Sequence, residues 1–297
     1  MRIAMTGASG LLGRAIARVL TESDHEVVPA RRDDDGDLRW DVERGFTPPD
    51  ALSGFDAVVH LAGENIASGR WTAKRKAAIL TSRREGTRRV VEALERASPR
   101  PATLLSASAV GYYGDRGETP LHEDDAPGQD FLAEVTGTWE AEAERATAFG
   151  VRVVRMRFGM VLDPDGGALA KLLLPFRLGL GAQLGDGSQY MSWIDRRDVA
   201  RAVLHLLEHP DCRGAYNLSA PTPVTNREFT RTLAQALRRP ALVALPRFAM
   251  KAALGEMAEA VLLGGQRALP DRLQATGFSF EYETLAASLA SLLGPGE

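Results

Sequence analysis

The stretch RIAMTGASGLLG, residues 2–13, restricts the possible folds of this chain more than any other. A short apolar run meets glycines at three-residue offsets, Gly7, Gly10 and Gly13. A stripe at helical spacing follows: Leu11, Leu12, Ala15, Ile16, Val19 and Leu20. A strand turning into a helix over such glycines is the opening of a nucleotide-binding βαβ unit. Gly7 permits the tight turn, Gly10 lets backbone approach a pyrophosphate, and Gly13 allows close packing of helix on strand. The turn and helix start, with Ser9, Leu11 and Leu12, then present backbone amides to the anion. Glycines serving only a tight turn are the plainer reading, and the βαβ surroundings argue against it.

The alternation continues along the chain. HEVVPA, LRWDV, FDAVVHLAG, ATLLSASAV and VRVVRMRFGMVL read as strands two to six, with long helices over 72–97 and 131–149. Six strands with crossover helices make an α/β fold, a doubly wound parallel sheet of Rossmann type. After LDPDGGAL the character changes. YMSWID and DVARAVLHLLEH read as a further strand and helix, with Asp195 and Asp198 as caps, and Thr225 with Glu228 forms a capping-box pattern. The expected division is a Rossmann domain over 1–165 and about 186–220, with a smaller C-terminal substrate or cap domain over about 166–185 and 221–297.

The 297 residues are 44% hydrophobic and 25% charged, an ordinary balance for a soluble protein, and no apolar run approaches the ~20 residues of a bilayer crossing. A formal charge of -3 supplies no basic field for nucleic acid, and Arg83, Arg84, Arg88 and Arg89 read as a solvated helix face. Cys212 stands alone, so no intrachain disulfide forms and a reducing compartment fits. The first residues read as a strand and turn rather than a leader, and a cytoplasmic location is expected. The expected partner is a small-molecule substrate, with no nucleic acid, membrane or metal.

Cofactor choice turns on the end of the second strand, where a carboxylate accepts from a ribose 2′-hydroxyl and a cation holds a 2′-phosphate. Arg31 and Arg32 stand there, and guanidinium forks match phosphate geometry, so NADP is favoured over NAD. The rival is Asp33, ~20 residues past the glycines, which serves NAD if the strand runs further. Asp41, closing the third strand, is placed for the adenine amino group. Leu61, Ala62 and Gly63 close the fourth and leave room for the adenine ribose; His60 before them reads as a core histidine.

Reduction or epimerisation on such a fold uses a phenol that shuttles a proton, a lysine that lowers its pKa, and a serine that polarises a carbonyl. Tyrosine and lysine then sit four apart on one helix face. This chain lacks the pair: the residues four before Lys74, Lys76, Lys171 and Lys251 are Arg70, Thr72, Gly167 and Arg247. On the helix where it belongs, Leu132 and Thr136 occupy the two positions. Ser108, ending the fifth strand, is the candidate serine, with Ser106 as its alternate. Tyr113 and Tyr112 offer phenols from the loop beyond, and Glu134, His122, Glu123, Asp124 and Asp125 are other proton carriers.

Together TGASGLLG, HLAGENI, RW with SR, SASAVGYYG, LLPFRLGLG and the tail LGEMAEAVLLGGQRALPDRL with GFSF resemble the atypical extended short-chain dehydrogenases known as epimerase family proteins. The resemblance runs over essentially the whole chain. It implies NADP at the strand ends beneath a closing C-terminal domain, Arg31 and Arg32 on the 2′-phosphate, Leu61 and Ala62 on the adenosine side, Arg83 on a cofactor phosphate or ribose, and Val161 beside the nicotinamide. A family acidic contact just before that arginine falls near Ala78. By the same analogy MSWIDRRDVARAV returns to the Rossmann sheet, and a homodimer forms through the two long helices. Two functions are expected: an NADP-dependent oxidoreductase or epimerase with a substitute proton donor near Ser108, or a non-catalytic NADP(H) sensor. Arg177, among apolar residues in the cap, either packs or grips an anionic substrate group. Trp71, Trp139 and Trp193 are expected in the core or at its rim.

Overall fold

A computed structural model describes residues 1–32 and 38–294. Its centre is an eight-stranded sheet of β1 (Arg2–Thr6), β2 (Glu26–Arg31), β3 (Leu38–Asp41), β4 (Gly45–Thr47), β5 (Ala57–His60), β6 (Thr103–Ala109), β7 (Arg152–Phe158) and β8 (Gly214–Leu218). The spatial order is β8-β7-β6-β5-β1-β2-β3-β4. Neighbours run parallel except β3 and β4, whose pairing Trp40 to Phe46 is antiparallel. The order reverses at β1, and ligands of open α/β sheets bind at the carboxyl ends of the strands beside such a point.

Side-chain alternation decides which face each helix covers. Ile3, Met5, Val59, Leu105 and Val154 point to one face, under α1 (Leu11–Glu22) and α5 (Arg196–Glu208) with Ile16, Leu20, Val203 and Leu206. Their neighbours Ala4, Val58, Leu104 and Val153 point to the other, under α2 (Ala73–Arg96) and α3 (Phe131–Glu144) with Val90, Leu94 and Ala143. Burial on both faces is why these strands read as continuous apolar runs. Thr72 caps α2 by accepting from the Arg75 amide, and Asp130 caps α3 through the Ala133 amide. Each such cap is worth about 1 kcal/mol.

A third core lies beyond the sheet, where Leu162, Leu169, Leu173, Phe176, Trp193, Ala220, Phe229, Leu233, Leu285 and Leu289 meet. It is built by α4 (Gly167–Arg177), α6 (Asn226–Ala236), the helix Leu285–Leu293 and the segments entering and leaving the sheet. The capping box of α6 forms as the sequence suggests, Thr225 and Glu228 each bonding the other's backbone.

The strand readings need three corrections. The run VRVVRMRFGMVL is two strands: β7 stops at Phe158, and Met160–Leu162 pairs instead with Trp193–Asp195. The break is at Gly159, where a Cβ would lie 2.3 Å from the Ser192 carbonyl oxygen. Accordingly Trp193–Asp195 does not return to the main sheet; the following helix α5 does pack on it. Strands β4 and β8 were not read, because GFT and GAYNL are short and lack a clear period. Asp195 caps α5 through the Arg197 amide, whereas Asp198 accepts from the Glu281 and Tyr282 amides and so pins the C-terminal segment instead. Trp71, Trp139 and Trp193 are all buried. Among the described residues no helix is long and apolar enough to cross a membrane, and no cluster of His, Cys, Asp or Glu could hold a metal.

Candidate dinucleotide and substrate site

The glycine turn leaves β1 at Gly7, whose φ of +74° lies in the left-handed region. A Cβ there would also sit 2.9 Å from the Ala62 nitrogen, so the turn is pressed against the end of β5. Gly10 bonds back to the Gly7 carbonyl at 3.0 Å and starts α1 with no side-chain cap. Gly13 is the tightest of the three, since a Cβ would meet the Gly7 carbonyl oxygen at 2.2 Å and Ala8 Cα at 2.7 Å. It therefore packs on the turn itself rather than on the strand. No acidic side chain occupies the first turn of α1, so nothing there repels an anion.

Between this turn and the end of β2 lies an open cleft of about 1130 Å³. Gly7, Ser9, Arg31, Arg32 and Ala62 line it. Arg14 and Arg18 do as well, and these were missed. Their signal was present: the apolar stripe of α1 leaves positions 14 and 18 on its polar face, one turn apart. Arg14 donates to the Ser9 carbonyl at 2.5 Å. Arg31 and Arg32 are exposed, and neither is ion-paired among the described residues. The rival Asp33 lies outside the described residues.

Two other expected contacts, Asp41 and Arg83, are placed differently. Asp41 Oδ1 accepts from the Glu43 and Arg44 amides at 2.8 and 2.6 Å, so this carboxylate caps the turn into β4, and Trp40 rather than Asp41 lines the cleft. Arg83 turns under the loop after β5: it donates to the Glu64 carbonyl at 3.0 Å, lies over Trp139, and sits against Gly63. Burial lowers its pKa to about 10. Val161 is half-buried in the short strand beside β7, pairing with Ile194, while Leu11 and Leu12 start α1, Leu11 contacting Gly166.

His60 is a core residue, fully buried between the Thr6 and Thr87 hydroxyls at 2.6 and 3.1 Å, and burial followed by the charge of Arg83 lowers its pKa to about 3. The imidazole is thus neutral in the fold but protonates in the unfolded chain below ~6.5, so the unfolded state binds more protons between those values and stability rises with pH there. Full stability is present above ~6.5, and about 2 kcal/mol is expected to be lost between pH 8 and pH 5. Urea unfolding across that range, with His60→Asn giving a flatter profile, checks this.

The proposed catalytic groups meet in a closed network. Ser108 donates to Glu140 Oε1 at 2.7 Å. Arg157 grips the same carboxylate through Nε and Nη2 at 2.7 and 2.9 Å, and its Nη1 donates to the Tyr113 hydroxyl at 2.9 Å. That hydroxyl donates in turn to Asn217 Oδ1 at 2.7 Å. Tyr113 is 0% exposed and Ser108 2%, and burial raises the phenol to about 12. Tyr113 is therefore a core tyrosine without access to substrate, and the Ser108 proton is committed to a carboxylate. Ser106 is likewise buried, bonding the Ala107 carbonyl.

Tyr112 differs, being half-buried beneath the Arg157 guanidinium, its hydroxyl without a partner among the described residues. Glu123 is buried and accepts from the Asn217 and Arg272 amides, burial raising its carboxyl. His122 pairs with Asp271, Asp124 with Arg272, and Glu134 is exposed in the first turn of α3. Thr136, where a lysine would stand, bonds the Leu132 carbonyl. Sequence reading missed Glu140 and Arg157 as the groups that fill this space; a charged residue at the carboxyl end of a buried strand was the available signal for Arg157, whereas Glu140, inside α3, gave none.

A reversal point, a glycine cradle and a cationic cleft define a dinucleotide-fold protein of the short-chain dehydrogenase type. Residues 3–219 match the NAD dependent epimerase/dehydratase family, to which the chain belongs, and residues 245–292 match a domain of unknown function, DUF1731. Epimerase family protein MT2273 of Mycobacterium tuberculosis is 42% identical, covering 97% of this chain and 96% of the relative. The crystal structure of human epimerase family protein SDR39U1 with NADPH superposes with a TM-score of 0.91 at 34% identity, covering 98% and 99% of the two chains. A nucleoside-diphosphate sugar epimerase from Corynebacterium glutamicum gives 0.83 at 33% identity, over 99% of this chain and 58% of that one.

Proposed function

We propose that this chain binds NADP(H) in the cleft behind the glycine turn and is an oxidoreductase or epimerase acting on a small molecule held beneath the C-terminal unit. The observation that carries the reading is the wall of arginines at the adenosine end of the cleft: Arg14, Arg18, Arg31 and Arg32 around one opening. The residues fit the cofactor, because the cradle at Gly7 and Gly13 has no room for a Cβ and the guanidinium groups suit a 2′-phosphate. Arg31 and Arg32 hold that phosphate, while the amides at the start of α1 hold the pyrophosphate. Bound there, the nicotinamide supplies or accepts a hydride. Of the hydroxyl groups at the strand end, Tyr112 is the one left to carry a proton.

A second reading is favoured by a specific observation. The Ser108 hydroxyl is committed to Glu140, which suits a protein that senses NADP(H) without turnover. Titration with NADPH and NADH tests the binding. Arg31→Ala with Arg32→Ala is expected to weaken NADPH about 10- to 100-fold and leave NADH nearly unchanged. Equal losses for both would overturn the assignment of the 2′-phosphate. Nicotinamide absorbance with carbonyl compounds and sugar nucleotides then separates the readings: turnover lost in Tyr112→Phe supports the enzyme, and tight NADPH binding with no turnover supports the sensor.

A further inference from the structure

We propose that the outer face of α6 carries a second anion site, distinct from the dinucleotide cleft, which takes a phosphate-bearing ligand. A cavity of about 340 Å³ lies between α6, the segment just after it and Gln183 of the short strand Ala182–Leu184. Arg227, Arg231 and Arg238 recur at offsets of four and seven, and Arg239 joins them at the rim. Arg227 donates to the Asp186 carbonyl. The guanidinium groups of Arg231, Arg238 and Arg239 have neither an ion pair nor a hydrogen bond among the described residues. Four guanidinium groups around one opening repel one another, and a multiply charged anion relieves that repulsion.

Two further features point to a ligand. Thr230 lines the cavity, and its hydroxyl, bonded to no protein group among the described residues, is open to the cavity's solvent. Thr232 on the same helix shows the usual alternative, bonding the Glu228 carbonyl at 2.8 Å. Arg238 also ends the helix at φ +51°, a conformation that glycine or asparagine adopts with less strain. The donor set, planar forks with one hydroxyl, is that of a phosphate or diphosphate site. Such a group belongs either to a soluble metabolite or to an anionic lipid headgroup; Leu242, 92% exposed beside the rim, is where an acyl chain would rest.

The test uses inorganic tripolyphosphate titrated calorimetrically into Arg31→Ala/Arg32→Ala protein, which weakens the competing cleft. One equivalent is expected to bind, with affinity reduced at least about tenfold by adding Arg231→Gln/Arg238→Gln and about threefold by Thr230→Val instead. No binding, or binding indifferent to Arg231 and Arg238, overturns the proposal. Unchanged unfolding midpoints in these variants establish that the losses are local. Sedimentation with phosphatidylglycerol but not phosphatidylcholine vesicles, abolished by Leu242→Asp and by the arginine pair, assigns the phosphate to lipid. Tripolyphosphate binding without sedimentation assigns it to a soluble ligand, and either result supports the site.

Discussion

Replacing Gly13 with alanine is expected to abolish NADPH binding and to lower stability by about 3 kcal/mol. The single added carbon would stand 2.2 Å from the Gly7 carbonyl oxygen and 2.7 to 2.8 Å from Ala8 backbone atoms. These are backbone neighbours inside a turn, so no flexible side chain can swing aside. Relief requires the turn to lift from α1, and that motion also moves the Gly7 carbonyl, which accepts from the Gly10 amide. Cofactor titration together with denaturant unfolding measures both effects. Near-normal NADPH affinity in Gly13→Ala would mean that the turn does not hold the pyrophosphate. Gly10→Ala is the control for stability alone, because a Cβ there has only the Gly7 carbonyl near it, at 3.2 Å.

Glu140→Ala is the second large change. Glu140 and Arg157 are 4% and 3% exposed, and the carboxylate receives two hydrogen bonds from Arg157, one from Ser108 and a longer one from Arg155 at 3.4 Å. Removing it leaves a buried guanidinium facing its own desolvation cost, which amounts to about 3–5 kcal/mol when one partner of such a pair is deleted. The Tyr113 and Asn217 links depend on the same arginine, so the loss spreads to the contacts Asn217 makes with the Leu269 and Leu121 carbonyls. Equilibrium unfolding in urea gives the number. Substituting leucine at Glu140 and methionine at Arg157 together is expected to restore most of it, since packed apolar groups avoid the desolvation cost. A double variant no better than Glu140→Ala would show that hydrogen bonding, not charge, dominates.

Much of the architecture is legible in the chain itself. Parallel strands buried on both faces carry short apolar runs, so β1, β5 and β6 announce themselves, and the helical stretches 72–97 and 131–149 stand out between them. The glycine turn is legible because its backbone demands are local. What escapes is set by contacts distant in sequence. Nothing in GMVL reveals that Ser192 presses on Gly159 and ends β7 there. Ser108 and Tyr113 look like catalytic groups at a strand end, yet Glu140 and Arg157, thirty-two and forty-four positions further along respectively, claim their hydroxyls. Asp41 looks free to meet adenine until the turn into β4 brings the Glu43 and Arg44 amides onto it.

The third core has its own implication for dissection of the molecule. Leu162, Phe176, Trp193, Ala220, Phe229 and Leu289 come from stretches separated by long excursions through the sheet. A fragment ending near 220 would leave Trp193 and Leu162 facing water, and one beginning there would lack Leu169, Leu173 and Phe176. Neither half buries the apolar surface of this core by itself, so scission near 220 does not yield two autonomous pieces. Exchanging the carboxyl-terminal third between homologues therefore means transplanting 162–176 and 191–193 along with it.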